Sequence, residues 1–252
     1  MNELSLVLIG IFIPLFPLSM IFNSVFAKVK NVGIRLLLLL AWPLTGIALL
    51  DHLGINIPDW IVTWSLFTAL LYAIRLLTIR EISLWTSFIA SSAWALLWIS
   101  LQGADDFSRA YFYAISFSLP LALLILLSDQ LTQRFGAAYV GLYGGLAQTQ
   151  PRLSGVLVMV ILAVVATPIF PAFFALMHTI IAAIPGSLGT AISVGIVWLL
   201  WSWGGARVIN GLIVGPAKHV DYPDITLLQV WNYWGVLLGL FALSIFFVGA
   251  SL

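Results

Sequence analysis

Thr167-Pro168-Ile169-Phe170-Pro171-Ala172-Phe173 stands at the centre of the longest apolar run of the chain, and its reading decides the fold. A proline lacks the backbone N–H and clashes with the carbonyl one turn back, so two prolines three positions apart break a helix. The surrounding stretch, 153–184, is also too long for one untilted crossing at about 1.5 Å per residue. The preferred reading is two half-length helices, with one kinked helix as the rival. In hydrocarbon the freed polar groups must be met by neighbouring helices, side chains or water. The expectation is that a companion subunit shelters the break, against a purely architectural kink.

Composition sets the solvent. The 252 residues are 62% hydrophobic and only 8% charged, with a mean hydropathy of +1.13, far beyond the needs of a water-soluble core. The chain reads as an all-α, polytopic membrane helical bundle. Cysteine is absent, which excludes disulfides, thiol catalysis and cysteine metal sites. His52, His178 and His219 have no ligand spacing, so no metal is expected. A net charge of +1 leaves no footprint for nucleic acid. No phosphate loop, dinucleotide fingerprint or haem-binding histidine pair is present, and no catalytic constellation emerges, so neither a cofactor nor an enzymatic activity is expected.

Working outward from the break, apolar stretches long enough to span a bilayer cover 4–27, 33–50, 60–78, 82–101 and 108–128. The first lacks the basic start and cleavage site of a signal peptide and reads as a retained span. A polar interval from Asp129 to Arg152 reads as an interfacial loop. After 153–184 come spans over 187–212 and 227–250, joined by a polar loop holding Lys218, His219, Asp221 and Asp224. The total is nine helices, or eight if the broken region counts once. Lys28, Lys30, Arg35, Arg75, Arg80, Arg134 and Arg152 fall on one side, and Asp51, Asp59, Asp105 and Asp106 on the other, so the start of the chain faces outward. Eight crossings add Arg207 and Lys218 to the basic side; nine place them opposite. The tryptophans, among them Trp42, Trp60, Trp64, Trp85, Trp94, Trp98, Trp201, Trp203, Trp231 and Trp234, lie near expected helix ends and read as an interfacial belt.

Gly144-Gly145-Leu146, then Pro151, then Pro168 to Phe173 follow the spacing of a segment in one large family. The chain resembles the antiporter-like, proton-conducting subunits of respiratory complex I, of multisubunit Mrp cation/proton antiporters and of bacterial inorganic-carbon uptake complexes. In that pattern a GGL turn precedes a proline and a short helix, and a P-x-F-x-x-F break, here Pro168, Phe170, Pro171 and Phe173, opens the second discontinuous helix. Ile79 to Ser87, Phe117 to Arg134 and Arg207 to Pro216 are similar to flanking pieces. The resemblance covers about 79–250, so 79–252 is read as one region like the second repeat and C-terminal helices. Residues 1–78, three helices without a second P-x-F-x-x-F break, stay unassigned.

The resemblance also implies ionisable residues that are missing. The family's lysine or glutamate on the discontinuous helix falls at Leu176, and its histidine or lysine on the preceding long helix falls around Ser116 and Ser118. His178, two positions beyond Leu176, is the titratable side chain of the broken region and the candidate for a proton relay or gate, against a histidine satisfied at a helix interface. Arg207 is a second candidate, against snorkelling to headgroups. Asp129, which can pair with Arg134, is a third, against a solvated carboxylate. The implied role is a non-enzymatic, multi-pass subunit of the bacterial inner (cytoplasmic) membrane. It would pack beside a full-length antiporter-like subunit in the lipid bilayer and help form or seal a proton path. A soluble carbonic-anhydrase-like or redox subunit is the further partner implied. An independent secondary transporter and a lipid-facing scaffold are the competing classes.

Overall fold

The computed structural model describes residues 2–104, 106–142, 144–216 and 222–251, with side chains from Leu4 to Ile245. Asp105, Lys218, His219 and Asp221 of the expected loops lie outside the described residues. The described residues form helices joined by loops, without a β-strand: α1 (Asn2–Phe12), α2 (Ser19–Lys28), α3 (Val32–Leu53), α4 (Asp59–Arg75), α5 (Ile82–Ala95), α6 (Leu97–Leu101), α7 (Ser108–Phe135), α8 (Leu146–Thr149), α9 (Pro151–Val164), α10 (Pro171–Ala183), α11 (Leu188–Ile213) and α12 (Leu227–Ser251). Five stretches are long and apolar enough to cross a membrane: Val32–Leu53, Ile82–Leu101, Ser108–Phe135, Leu188–Ile213 and Leu227–Ile245. Local sequence explains several ends. Asn31 caps α3 by accepting from the Ile34 amide at 3.2 Å, Gly54 closes it at φ 57°, and Ser187 caps α11.

Contacts between distant segments fix the number of crossings. Arg207 on α11 donates to the carbonyls of Leu76 and Ile79, which puts it beside Arg75 and Arg80. At the other end, Thr179 on α10 bonds Ser100 at 2.9 Å, and His178 meets Arg109 at the start of α7. α9 has 14 residues and α10 has 13, about 20 Å each and too short to cross hydrocarbon alone. Together they make one interrupted pass, so the described helices make eight passes through the bundle, the count at which Arg207 joins the basic side. The 153–184 stretch is broken as expected, between Val164 and Pro171.

The first expected span is not one helix. Residues 4–27 divide into α1 and α2 around Pro14-Leu15-Phe16-Pro17, which repeats the P-x-F-P order of Pro168-Ile169-Phe170-Pro171. Each break runs against a glycine on a neighbouring helix. A Cβ at Gly46 of α3 would stand 2.6 Å from Ile13, and one at Gly205 of α11 would stand 2.7 Å from Val165. Only hydrogen at those two positions lets the irregular backbone approach so closely.

The interval from Asp129 to Arg152 is less of a loop than its polarity suggested. α7 continues through Asp129 to Phe135, and α8 and the first turn of α9 occupy its end. Asp224, across the bundle in sequence, caps α9: its two carboxylate oxygens accept from the amides of Arg152 and Leu153 at 2.8 and 3.1 Å. The tryptophans are also redistributed. Trp60, Trp203 and Trp231 are exposed as a belt requires, but Trp85, Trp94, Trp98 and Trp201 are fully buried and are the largest side chains of the core.

Candidate functional site: two broken helices and a polar vestibule

A break frees carbonyls that an intact helix would bond, and their partners are the first test of what a break does. At the second break Ala166 takes a left-handed φ of 54°. Trp198 Nε1, on α11, donates to the carbonyls of both Val165 and Ala166 at 3.1 Å. Ser244 Oγ, on α12, donates to Ile169 O at 3.2 Å, and Thr167 Oγ1 to Leu162 O at 3.1 Å. The first break is met in the same manner. Trp42 donates to Ile11 O at 2.9 Å, Trp98 to Ile13 O at 3.1 Å and Trp64 to Phe16 O at 2.5 Å, while the Phe16 amide donates to Thr68 Oγ1 at 3.0 Å. Indole N–H groups from the chain's own helices therefore shelter both breaks. The expectation that a companion subunit must do so is corrected: four tryptophans reach the freed carbonyls from within the same bundle.

The positions where the family resemblance implies ionisable groups are apolar or hydroxylic and buried. Leu176 is fully enclosed, and Ser116 and Ser118 are buried in α7. Pro120 in α7 leaves the Ser116 carbonyl without its helical partner, and Ser118 Oγ has no hydrogen-bond partner. Beside the first break runs an uncharged network that the sequence did not announce. Ser19 Oγ meets Tyr72 Oη at 2.9 Å, Asn23 Nδ2 donates to Ser91 Oγ at 3.0 Å and to Ser19 O at 3.1 Å, and Trp201 Nε1 donates to Ser92 Oγ at 2.9 Å. Among the described residues no buried side chain is an aspartate, glutamate, lysine, arginine or histidine: the buried polar groups are serine, threonine, asparagine and glutamine, beside tyrosine hydroxyls and indole N–H groups.

Titratable and charged groups sit at the two ends. His178 is half-buried on the wall of a vestibule of about 930 Å³ on the acidic side, with Asp59, Gln102, Asp106, Arg109 and Thr190 also lining it. Arg109 Nη1 lies 2.8 Å from His178 Nε2. A guanidinium has no acceptor, so Nε2 is the unprotonated nitrogen of a neutral imidazole. Gln102 Nε2 donates to Asp59 at 2.7 Å. The Ser108 hydroxyl, and then its amide, bond the Asp106 carboxylate and hold it below the usual carboxylate range. Sequence reasoning missed Arg109, although a signal existed: of the ten lysines and arginines, it is the one that eight crossings place on the acidic side.

On the basic side, Arg207 spans from α11 to the end of α4, where its guanidinium meets the Leu76 and Ile79 carbonyls. It acts as a C-terminal cap supplied from another helix. Asp129 accepts from Gln133 Nε2 at 2.5 Å, while Arg134 turns to Gln130 Oε1 at 2.8 Å, so the Asp129–Arg134 pair is not formed. Asp129 lines a smaller cavity of about 330 Å³ with Lys30, Arg35, Glu81 and Ser83. The structure thus separates His178 from Asp129 and Arg207, which stand at opposite ends of the bundle, and leaves Ser116 and Ser118 in its interior.

No protein-family model and no curated protein matches this sequence. Solved structures share its fold. A chain of the Mrp complex from Dietzia sp. DQ12-45-1b superposes with a TM-score of 0.73 at 17% identity, over 85% of this chain and 42% of that one. A chain of respiratory complex I from Thermus thermophilus gives 0.73 at 17% identity, over 94% and 53%. A chain of the membrane-bound sulfane sulfur reductase, an archaeal respiratory membrane complex, gives 0.79 at 14% identity, over 95% and 52%. The chain therefore shares the multi-pass membrane fold of these chains, and it spans about half the length of the chains it matches.

Proposed function

We propose that this chain is a non-enzymatic membrane subunit of a proton-coupled complex, packed beside a full-length antiporter-like subunit, where it seals a proton path rather than carrying one. The observation that supports sealing is the interior. Proton transfer across a membrane needs groups whose charge can change, and among the described residues no buried side chain is an aspartate, glutamate, lysine, arginine or histidine, with Leu176 enclosed where an ionisable residue is implied. Hydroxyls and amides hold helices together by hydrogen bonds and do not change charge near neutral pH. The solved structures of similar fold come from multisubunit membrane complexes, which supports a place within an assembly. Among hosts we favour an inorganic-carbon uptake complex of the bacterial inner membrane, pairing a proton-conducting subunit with a soluble carbonic-anhydrase-like protein. A short extra copy without midplane charges suits an accessory place there.

Two measurements test this. The purified chain, reconstituted alone into vesicles with a trapped pH-sensitive dye, is expected to leak protons under an imposed pH gradient no faster than protein-free vesicles. Flux through the chain alone sinks the sealing role. Affinity purification in mild detergent then identifies the host: a zinc-containing soluble partner fits carbon uptake, and one with iron–sulfur clusters fits respiration. A second reading, an independent secondary transporter, draws support from the first break, because paired discontinuous helices are a feature of such carriers. The same vesicles discriminate, since a transporter moves its substrate without a partner.

A further inference from the structure

We propose that the Arg109–His178 contact is a protonation-sensitive latch that holds α10 against the start of α7 while the imidazole is neutral and releases it when His178 takes up a proton. Arg109 only donates, so the 2.8 Å contact requires a free lone pair on His178 Nε2. Protonating that nitrogen replaces a hydrogen bond by two cations in contact. The vestibule makes this event accessible, because His178 and Arg109 both line a space of about 930 Å³.

α10 is built to respond. At one end it joins α9 through the irregular residues of the second break, where Ala166 has a φ of 54°. At the other it ends at Ala183, before the short connection to α11. Near that end the hydroxyl bond between Thr179 and Ser100, at 2.9 Å, joins His178–Arg109 in tying α10 to its neighbours. The charged groups that face the latch are few. α10 packs against α6, α7, α11 and α12. α7 contributes Arg109, whereas α6 and α12 carry no charged side chain and α11 carries Arg207 only at the opposite end. Asp59 of α4 and Asp106 share the vestibule, but Asp59 is engaged by Gln102 and Asp106 by Ser108. Neither forms an ion pair with the imidazole in its place. A released α10 would widen the vestibule from the aqueous side and loosen the segment that closes the bundle there. The sealing role enters only in that consequence; the latch itself stands on the contact.

Because the chain has no native cysteine, spin labels placed at Thr63→Cys on α4 and Ala182→Cys on α10 read the vestibule width by double electron–electron resonance in nanodiscs. As pH falls from 8 to 5, the range in which imidazoles titrate, the distance distribution should gain a longer component. His178→Gln keeps an acceptor for Arg109 and cannot be protonated, so it should hold the short distance throughout. Arg109→Gln removes the repelling cation and should likewise lose the pH response. The mobility of a single label at Ala182→Cys gives an independent reading if the doubly labelled protein does not fold. An unchanged wild-type distribution, or an equal pH response in His178→Gln, overturns the latch. Neither readout involves proton flux or a partner, so failure here and failure of the sealing role are distinguishable.

Discussion

At the scale of single residues, a tryptophan in this bundle is a donor before it is a hydrophobe. Trp198 serves two carbonyls of the second break, and Trp98 serves one of the first while fully enclosed. Phenylalanine would keep the ring and delete the N–H, leaving a buried carbonyl unsatisfied at about 1–3 kcal/mol. Trp98→Phe and Trp198→Phe are therefore expected to lower stability by that amount in reversible unfolding from detergent. Trp203→Phe, at a side chain 72% exposed, should change it by less than about 0.5 kcal/mol. Equal effects at all three positions would mean that indole bulk, not the donor, is what matters. The distinction was invisible in the sequence. A tryptophan near a helix end looks the same whether its N–H meets headgroup water or a carbonyl contributed by a segment tens of residues away.

At the scale of elements, the question is how two irregular segments fit inside a close-packed bundle. The answer at the second break is a glycine: a Cβ at Gly205 would meet Val165 at 2.7 Å and Ile161 at 3.2 Å, whereas one at Gly195 on the same helix meets nothing within 4 Å. Gly205→Ala should destabilise by about 1–3 kcal/mol through overpacking against the break. Gly195→Ala should be neutral or stabilising by up to about 1 kcal/mol, because alanine favours the helix. Thermal melts of the two variants in one detergent compare them directly. The second break was legible because its prolines interrupt an apolar run too long for a single crossing. The first was not, because 4–27 has the length of one ordinary span and Pro14 to Leu18 are all apolar. Hydropathy counts transfer free energy and is blind to hydrogen bonds, so a broken and an intact segment of equal apolarity look alike. The signal that distinguishes them, two prolines three apart around a phenylalanine, was present in both segments.

At the scale of the whole molecule, crossing number and sidedness are the testable quantities. Eight crossings place Gly186, in the connection between α10 and α11, on the side of Asp51 and opposite Lys30; nine would place it with Lys30. Single-cysteine variants Gly186→Cys, Asp51→Cys and Lys30→Cys should therefore divide two against one when sealed vesicles of known orientation are treated with a membrane-impermeant maleimide. Labelling of Gly186→Cys together with Lys30→Cys would refute the topology. The absence of native cysteine makes each label unambiguous.

By itself the amino-acid sequence determined the solvent, the helical class, most span boundaries and the second break. Each of these follows from the local density of apolar side chains, charges and prolines along the chain. Only the tertiary structure decided that the first span is also broken, that the breaks are sheltered from within, that Arg207 caps α4, and that His178 faces Arg109 rather than a buried partner. The physical reason is that a freed carbonyl or a neutral imidazole is satisfied by whichever group the packing brings within about 3 Å. Apart from Thr167, which meets Leu162 locally, those groups come from residues 31 to 131 positions away, beyond any pattern of local spacing.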